Sequence, residues 1–193
     1  MPVTAPVCAR AELICSAKRP GAAVRGIVAE ILCDENRSLT FTYRLLANTE
    51  ELTIPPPGEP RRVEGLWRHT CFEAFLGMKS RPEYYEFNFA PSGEWAAYAF
   101  RNYREGGPLD EEDVAPRISL RDVVGGMELM STIRLEHLPW IKAGTILSLG
   151  LSAVIEERDG SRSYWALKNP TAKPDFHHPD CFALEFAVPE QST

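Results

Sequence analysis

The sequence predicts an all-β chain, a β-sandwich of about ten short strands, and three observations carry that prediction. Sixteen prolines and thirteen glycines among 193 residues interrupt the chain too often for long helices. Apolar and polar residues alternate over short runs, the period of a half-buried strand. No segment repeats apolar residues at helical spacing over the length of a helix. The length fits one domain spanning residues 1–193, large enough to bury about 70% of the surface its unfolded chain exposes.

Taken in order, Ala9 to Ala17, Val24 to Cys33 and Leu39 to Ala47 read as three strands, the last rich in β-branched and aromatic residues. The segment IPPPGEPRR, Ile54 to Arg62, is a loop, because proline lacks an amide donor and fixes φ. LWRHTCFEAFLGM, Leu66 to Met78, reads as a strand with Phe72, Ala74, Leu76 and Met78 on one face. Its other face then presents Trp67, His69, Cys71, Glu73 and Phe75.

YYEFNFAPSGEWAAYAF, Tyr84 to Phe100, reads as a hairpin reversed by Ala-Pro-Ser-Gly at Ala90 to Gly93. Alternation places Tyr85, Phe87 and Phe89 opposite Tyr84, Glu86 and Asn88. In the second strand Trp95 packs inward if Tyr98 and Phe100 face out. The polar stretch from Asn102 to Pro116 reads as a loop with a solvated run of acid. Strands follow at Arg117 to Arg121 and Met127 to Leu135, joined by a turn at Val124-Gly125-Gly126. From Thr145 to Glu156, Leu147, Leu149, Leu151, Ala153 and Ile155 alternate with Ser148, Gly150 and Ser152. An Asp-Gly turn within Glu156 to Ser161 leads into SRSYWALKN, and CFALEFAV forms the final strand.

A net charge of −6 and only short basic clusters exclude nucleic acid as an expected partner. The N-terminal residues carry no signal-like apolar run, and no stretch approaches a membrane span, so a cytoplasmic protein without membrane contact is expected. The five cysteines Cys8, Cys15, Cys33, Cys71 and Cys181 contain no CxxC pair, which predicts reduced thiols rather than a disulfide framework or zinc ribbon.

The candidate site is the mixed face of neighbouring strands: Trp67, His69 and Glu73, then Tyr84, Glu86 and Asn88, with Trp95 and Arg101 of the next strand as further candidates and Trp165 from a later strand. Indole rings can stack on the C–H face of a pyranose while carboxylates and an amide bond its hydroxyls. The same face could equally meet only water. The loop between the last two strands holds Lys168, Asn169, Asp175, His177 and His178, stiffened by Pro170, Pro174 and Pro179. It could recognise a ligand or merely satisfy its own backbone. His69, Cys71 and Glu73 are of zinc-binding types without a diagnostic spacing, and His69 or Met78 could ligate haem. Met78 shares a face with Phe72 and Leu76, which points to core. No GxSxG elbow, phosphate loop or HExxH motif is present, so no catalytic residue is assigned.

Together, LWRHTCFEAFLG, YYEFNFAPSGEWAAYAF, LGLSAVIEE and SYWALKNPTAKPDFHHPDCFALEF resemble the bacterial DOMON-like domain proteins, which are similar to family 9 carbohydrate-binding modules. The match runs in order from about Val24 to Val188. It implies an immunoglobulin-like β-sandwich that binds a ligand without catalysis, a sugar or similar small polar molecule first and haem as the alternative. The resemblance gives the clamp role to Trp67 and Trp165. It gives polar roles to Glu73, Glu86, Asn88 and the loop from Asp175 through His177 to His178. A third reading makes the sandwich face a docking surface for a protein partner; calcium is a minor possibility at the acids.

Overall fold

The computed structural model describes residues 7–16, 22–110 and 112–190. The chain forms β1 (Val7–Cys15), β2 (Val24–Cys33), β3 (Ser38–Ala47), β4 (Cys71–Met78), β5 (Arg81–Phe89), β6 (Trp95–Asn102) and β7 (Glu105–Pro108). Its second half adds β8 (Arg117–Val123), β9 (Gly126–Arg134), β10 (Ile146–Glu156), β11 (Arg162–Ala166) and β12 (Phe182–Ala187). Hydrogen bonds join them into one curled antiparallel sheet in the order β7-β6-β5-β4-β10-β11-β1-β2-β3-β9-β8, with β12 also on β10.

The sheet folds back on itself at β1. Most of β1 pairs with β2, while Ile14 and Cys15 pair with Ala166 and Trp165 of β11. The result is a sandwich with β1-β2-β3-β9-β8 as one layer and β7-β6-β5-β4-β10 with β11 and β12 as the other. Leu39, Phe41, Tyr43 and Leu45 of β3 face Phe72, Ala74 and Leu76 of β4 and Phe87 and Phe89 of β5 across the core, all fully buried. The layers meet where Tyr43 tilts against Phe72 at 5.1 Å and Phe41 against Phe89 at 5.9 Å between ring centroids. The Tyr43 hydroxyl also donates to the Glu73 carbonyl at 2.6 Å, so one side chain ties β3 to β4.

Most elements lie where alternation places them, and the turns at Gly93, Gly125 and Gly160 adopt the positive φ that glycine permits. Three differences have local causes. The strand expected from Leu66 begins at Cys71, because Gly65 is left-handed (φ 78°) and starts a 3-10 turn over Leu66–Arg68. Trp67 and His69 therefore leave the strand alternation. An additional strand, β7, lies inside the segment read as loop. Its Gly106 backs onto the Ala99 carbonyl so closely that any Cβ would overlap it, and a glycine edge strand has no side-chain pattern to read. The strand expected over SRSYWALKN ends at Ala166. Ala17, at the end of the first expected strand, lies outside the described residues.

Candidate ligand-binding pocket

A strand in a sandwich normally turns one face to the core and the other to water. Here every residue of β4, and Tyr84 through Phe89 of β5, is buried on both faces. The cover for most of the second face is the segment between β11 and β12, while Leu66 and Val63 of the loop before β4 close over Cys71 at one end. Phe182, where it rejoins the sheet, packs edge-on to Phe75 (5.8 Å) and Tyr84 (5.5 Å). Gly77 makes room for it, since a Cβ there would stand 3.0 Å from the Phe182 ring. Gly77→Ala should displace that ring and cost about 1–3 kcal/mol of stability, measurable by urea denaturation.

Between sheet and cover lies a cavity of about 560 Å³. Glu73 and Phe75 of β4, Glu86 of β5, Tyr98 and Phe100 of β6 and Val154 of β10 line it from the sheet. Tyr164 of β11, Arg104 of the β6–β7 turn, and Lys173, Pro174, Phe176 and His177 of the covering segment complete the walls. Trp67, 48% exposed, stands at the edge and is set there by the Gly65 turn.

Two carboxyls meet this cavity from diagonal positions, for Glu73 pairs with Asn88 and Glu86 with Phe75. Both are buried, with 2% and 6% of their surface exposed. Ser152 Oγ donates to Glu73 Oε2 at 2.9 Å, and Asn88 Nδ2 donates to Glu86 Oε1 at 2.7 Å. The amide is oriented in turn by the Cys71 thiol, which donates to Asn88 Oδ1 at 3.5 Å. Burial, followed by repulsion from Glu86, pushes Glu73 up to about 8. Burial likewise raises Glu86 to about 7, with Asn88 and Arg104 pulling the other way.

His177 is held by a short chain of hydrogen bonds. The Arg104 amide, in the left-handed conformation (φ 56°), donates to Tyr84 Oη at 3.0 Å. The Tyr84 hydroxyl in turn shares a hydrogen bond of 2.9 Å with His177 Nδ1. The other ring nitrogen, Nε2, faces Glu86 Oε2 at 3.6 Å. Phe75 and Phe100 pack edge-on to the imidazole at 5.2 and 5.1 Å. Burial, then the Arg104 charge, lowers His177 to about 4, so the ring is neutral at neutral pH. Asp175 bonds Arg104 at 2.8 Å, the Tyr103 hydroxyl at 2.5 Å and the His177 amide at 3.3 Å, locking the covering segment to the β6–β7 turn.

Of the residues expected at a site, Trp67, Glu73, Glu86 and His177 are brought together around the cavity. Asn88 and Asp175 stand behind it, orienting Glu86 and Arg104 respectively. Three expectations need correction. Trp165 points into the core, 4% exposed, with Nε1 donating to Ser163 Oγ at 2.9 Å, so it cannot be the second clamp. His69 lies at the surface and bonds Glu156 Oε2 at 2.8 Å. His178 caps the 3-10 turn at Pro179–Cys181 by accepting from the Asp180 amide. Met78 is in the core while His69 faces solvent, so the two do not assemble as axial ligands. Among the described residues, no group of three or more His, Cys, Asp or Glu is placed to hold a metal ion.

Tyr164 takes the position expected of Trp165. A signal for this existed: β10 and β11 pair Ala153 with Trp165 and Val154 with Tyr164, and Ala153 shares its face with the core residues Leu151 and Ile155. Arg104, Lys173 and Phe176 were not expected; they lie in non-periodic segments that alternation cannot place.

No family model matches the chain, and no curated protein matches it by sequence. Solved structures of similar fold do exist. A "putative carbohydrate-binding protein" from Bacteroides uniformis aligns with TM-score 0.58 and 13% identity, over 90% of this chain and 83% of that one. A family 9 carbohydrate binding module from Caldicellulosiruptor kristjanssonii, in complex with cellotriose, aligns with TM-score 0.46 and 12% identity, over 82% of this chain and 74% of that one. A family 9 module from the same organism in complex with glucose gives the same score and identity, over 80% and 71%. At 13% identity the likeness to the first of them is one of fold alone, and it agrees with the all-β sandwich read from the sequence.

Proposed function

We propose that the protein is a non-catalytic binding module whose ligand is a carbohydrate or a similar small polar molecule. The observation that supports this best is the joint lining of one cavity by exposed-edged aromatic rings and by carboxyls with unused hydrogen-bonding capacity. Trp67, Tyr98 and Tyr164 offer ring faces to the C–H surface of a sugar, and Glu73, Glu86 and His177 offer partners to its hydroxyls. The resemblance to DOMON-like domains and the carbohydrate-binding name of the Bacteroides uniformis protein of like fold add support. On this reading the carboxyls orient a ligand and perform no acid–base step.

Trp67 fluorescence reports the site directly, because the ring is half exposed at the cavity edge. Titration with glucose, cellotriose and a panel of other saccharides should change its emission saturably. By calorimetric titration, which does not need the Trp67 reporter, Trp67→Ala and Tyr164→Ala should each weaken the best ligand about tenfold, while Trp165→Phe, on the core side, should change affinity less than about twofold. Unaltered affinity in both cavity variants, or silence across the panel, rejects the reading.

A further inference from the structure

This chain shows elsewhere how it keeps a buried carboxylate charged. Glu128, 2% exposed, lies between Arg44, at 2.8 Å, and Arg121 on the outer face of the other layer. Burial pushes its carboxyl up, but the hydrogen bonds from those two arginines outweigh it and hold it low. Glu73 and Glu86 lie deeper in the protein than Glu128 and have no such partner. Each accepts one hydrogen bond from a neutral side chain, Ser152 or Asn88, and Glu73 Oε1 accepts none from the described residues.

The charged and titratable groups around them do not fill that role. Glu73 has Cys71 on its own strand, Tyr43 behind it across the core and Glu86 beside it. Glu86 faces His177 from the covering segment, and its field reaches Tyr84 and Tyr98. Arg104 is committed to Asp175, and Lys173 is exposed. The pair is therefore a diagonal acceptor site with no arginine or lysine bonded to either carboxyl, opening into a cavity of ligand size whose walls also hold Arg104 and Lys173. Phe75, Tyr98 and Phe100 line the same cavity, and the face of an aromatic ring also attracts a cation.

We infer that the preferred ligand is an amino sugar, whose protonated amine docks between Glu73 and Glu86 while its ring lies against the aromatic walls. The inference rests on the carbohydrate reading above and narrows it. An ammonium has three donors, enough to reach two carboxyls on diagonal neighbours, and it supplies the positive charge that Arg44 and Arg121 supply to Glu128. Because Glu73, and Glu86 in part, hold protons near neutral pH when the cavity lacks a bound cation, docking an ammonium should expel protons. Affinity and proton release are then linked, and the preference for the amine grows as pH rises from about 6 to about 7.5.

The test is calorimetric titration of the full chain with glucosamine, glucose and N-acetylglucosamine, in buffers of different ionisation enthalpy. Glucosamine should bind at least about tenfold tighter than glucose near pH 7 and release protons. N-acetylglucosamine, with the same ring and no charge, should show neither effect. In a Glu73→Gln/Glu86→Gln double variant, checked for folding by circular dichroism, the gap between glucosamine and glucose should close and proton release should vanish. Equal binding of glucose and glucosamine without proton release overturns the inference and leaves the carbohydrate reading standing. Binding of ethanolamine as tight as that of glucosamine, with glucose inert, overturns both, as does no binding at all.

Discussion

Raising the pH from about 5.5 to about 8.5 is expected to destabilise the ligand-free protein by roughly 3–5 kcal/mol. Glu73 and Glu86 stand at about 8 and about 7 in the fold, against an ordinary value of 4.5. Between those values the folded state binds protons that the unfolded chain has lost. The stability these groups contribute is full in acid and is lost as pH rises through their folded values. His177 works in the opposite sense. Its value is lowered from 6.5 to about 4, so it favours the fold as pH rises across that window. Two acids against one imidazole leave a net decline above about pH 5, continuing to about pH 8 after the imidazole contribution has ended.

Urea denaturation across that range at fixed ionic strength measures the slope. Glu73→Gln keeps the hydrogen bond from Ser152 without the titration, so it should flatten the profile and exceed the parent in stability by about 1–3 kcal/mol near pH 8.5. A flat or rising parental profile would show that the two carboxyls ionise freely in the folded protein.

The second large effect concerns Tyr43. Tyr43→Ala should cost about 3–5 kcal/mol, because it opens a void between the layers where they are packed most closely. The ring is fully buried and lies against Phe72, and its hydroxyl bonds the Glu73 carbonyl. Tyr43→Phe retains the ring and removes only that bond, so its cost should be about 1–2 kcal/mol. Comparing the two by denaturant midpoint separates packing from hydrogen bonding. In a domain of this size the alanine variant should melt roughly 10 °C lower. A cost below about 1 kcal/mol for Tyr43→Ala would contradict the register that sets β3 over β4.

Alternation made the core side of this fold legible. Phe72, Ala74, Leu76 and Met78, and likewise Tyr85, Phe87 and Phe89, face inward as their spacing requires. Glu73 and Glu86 were legible for the same reason, since an inward face at Phe72 and Phe87 forces its neighbours outward. Whether an outward face meets water or a cover is not written in the strand itself. That depends on residues 168–181, which are remote in sequence from β4 and β5 and follow no period. Trp67 was expected at the site for a reason the fold does not support: it arrives there on a 3-10 turn, not on a strand. Trp165 and Tyr164 were both in view, and only the pairing with β10 decides which faces the cavity. His69 and His178 drew notice by residue type alone; His69 is taken up by Glu156 at the end of β10 and His178 by the Asp180 amide.

The attachment of the covering segment has an evolutionary consequence. After β11 the chain leaves the edge of β10 at Leu167, whose amide bonds the Leu151 carbonyl, and returns to that edge at Phe182, paired with Gly150 next to it. Departure and return fall on adjacent residues of one strand edge, so the strand register on either side does not depend on how many residues lie between. Lengthening such an excursion adds little closure entropy, about 0.6 kcal/mol for each doubling. The lid can therefore be exchanged like a cassette while the floor that carries Glu73 and Glu86 stays fixed. Descendants of this chain could acquire new ligand preferences by insertion and deletion in one place, without refolding the sandwich beneath.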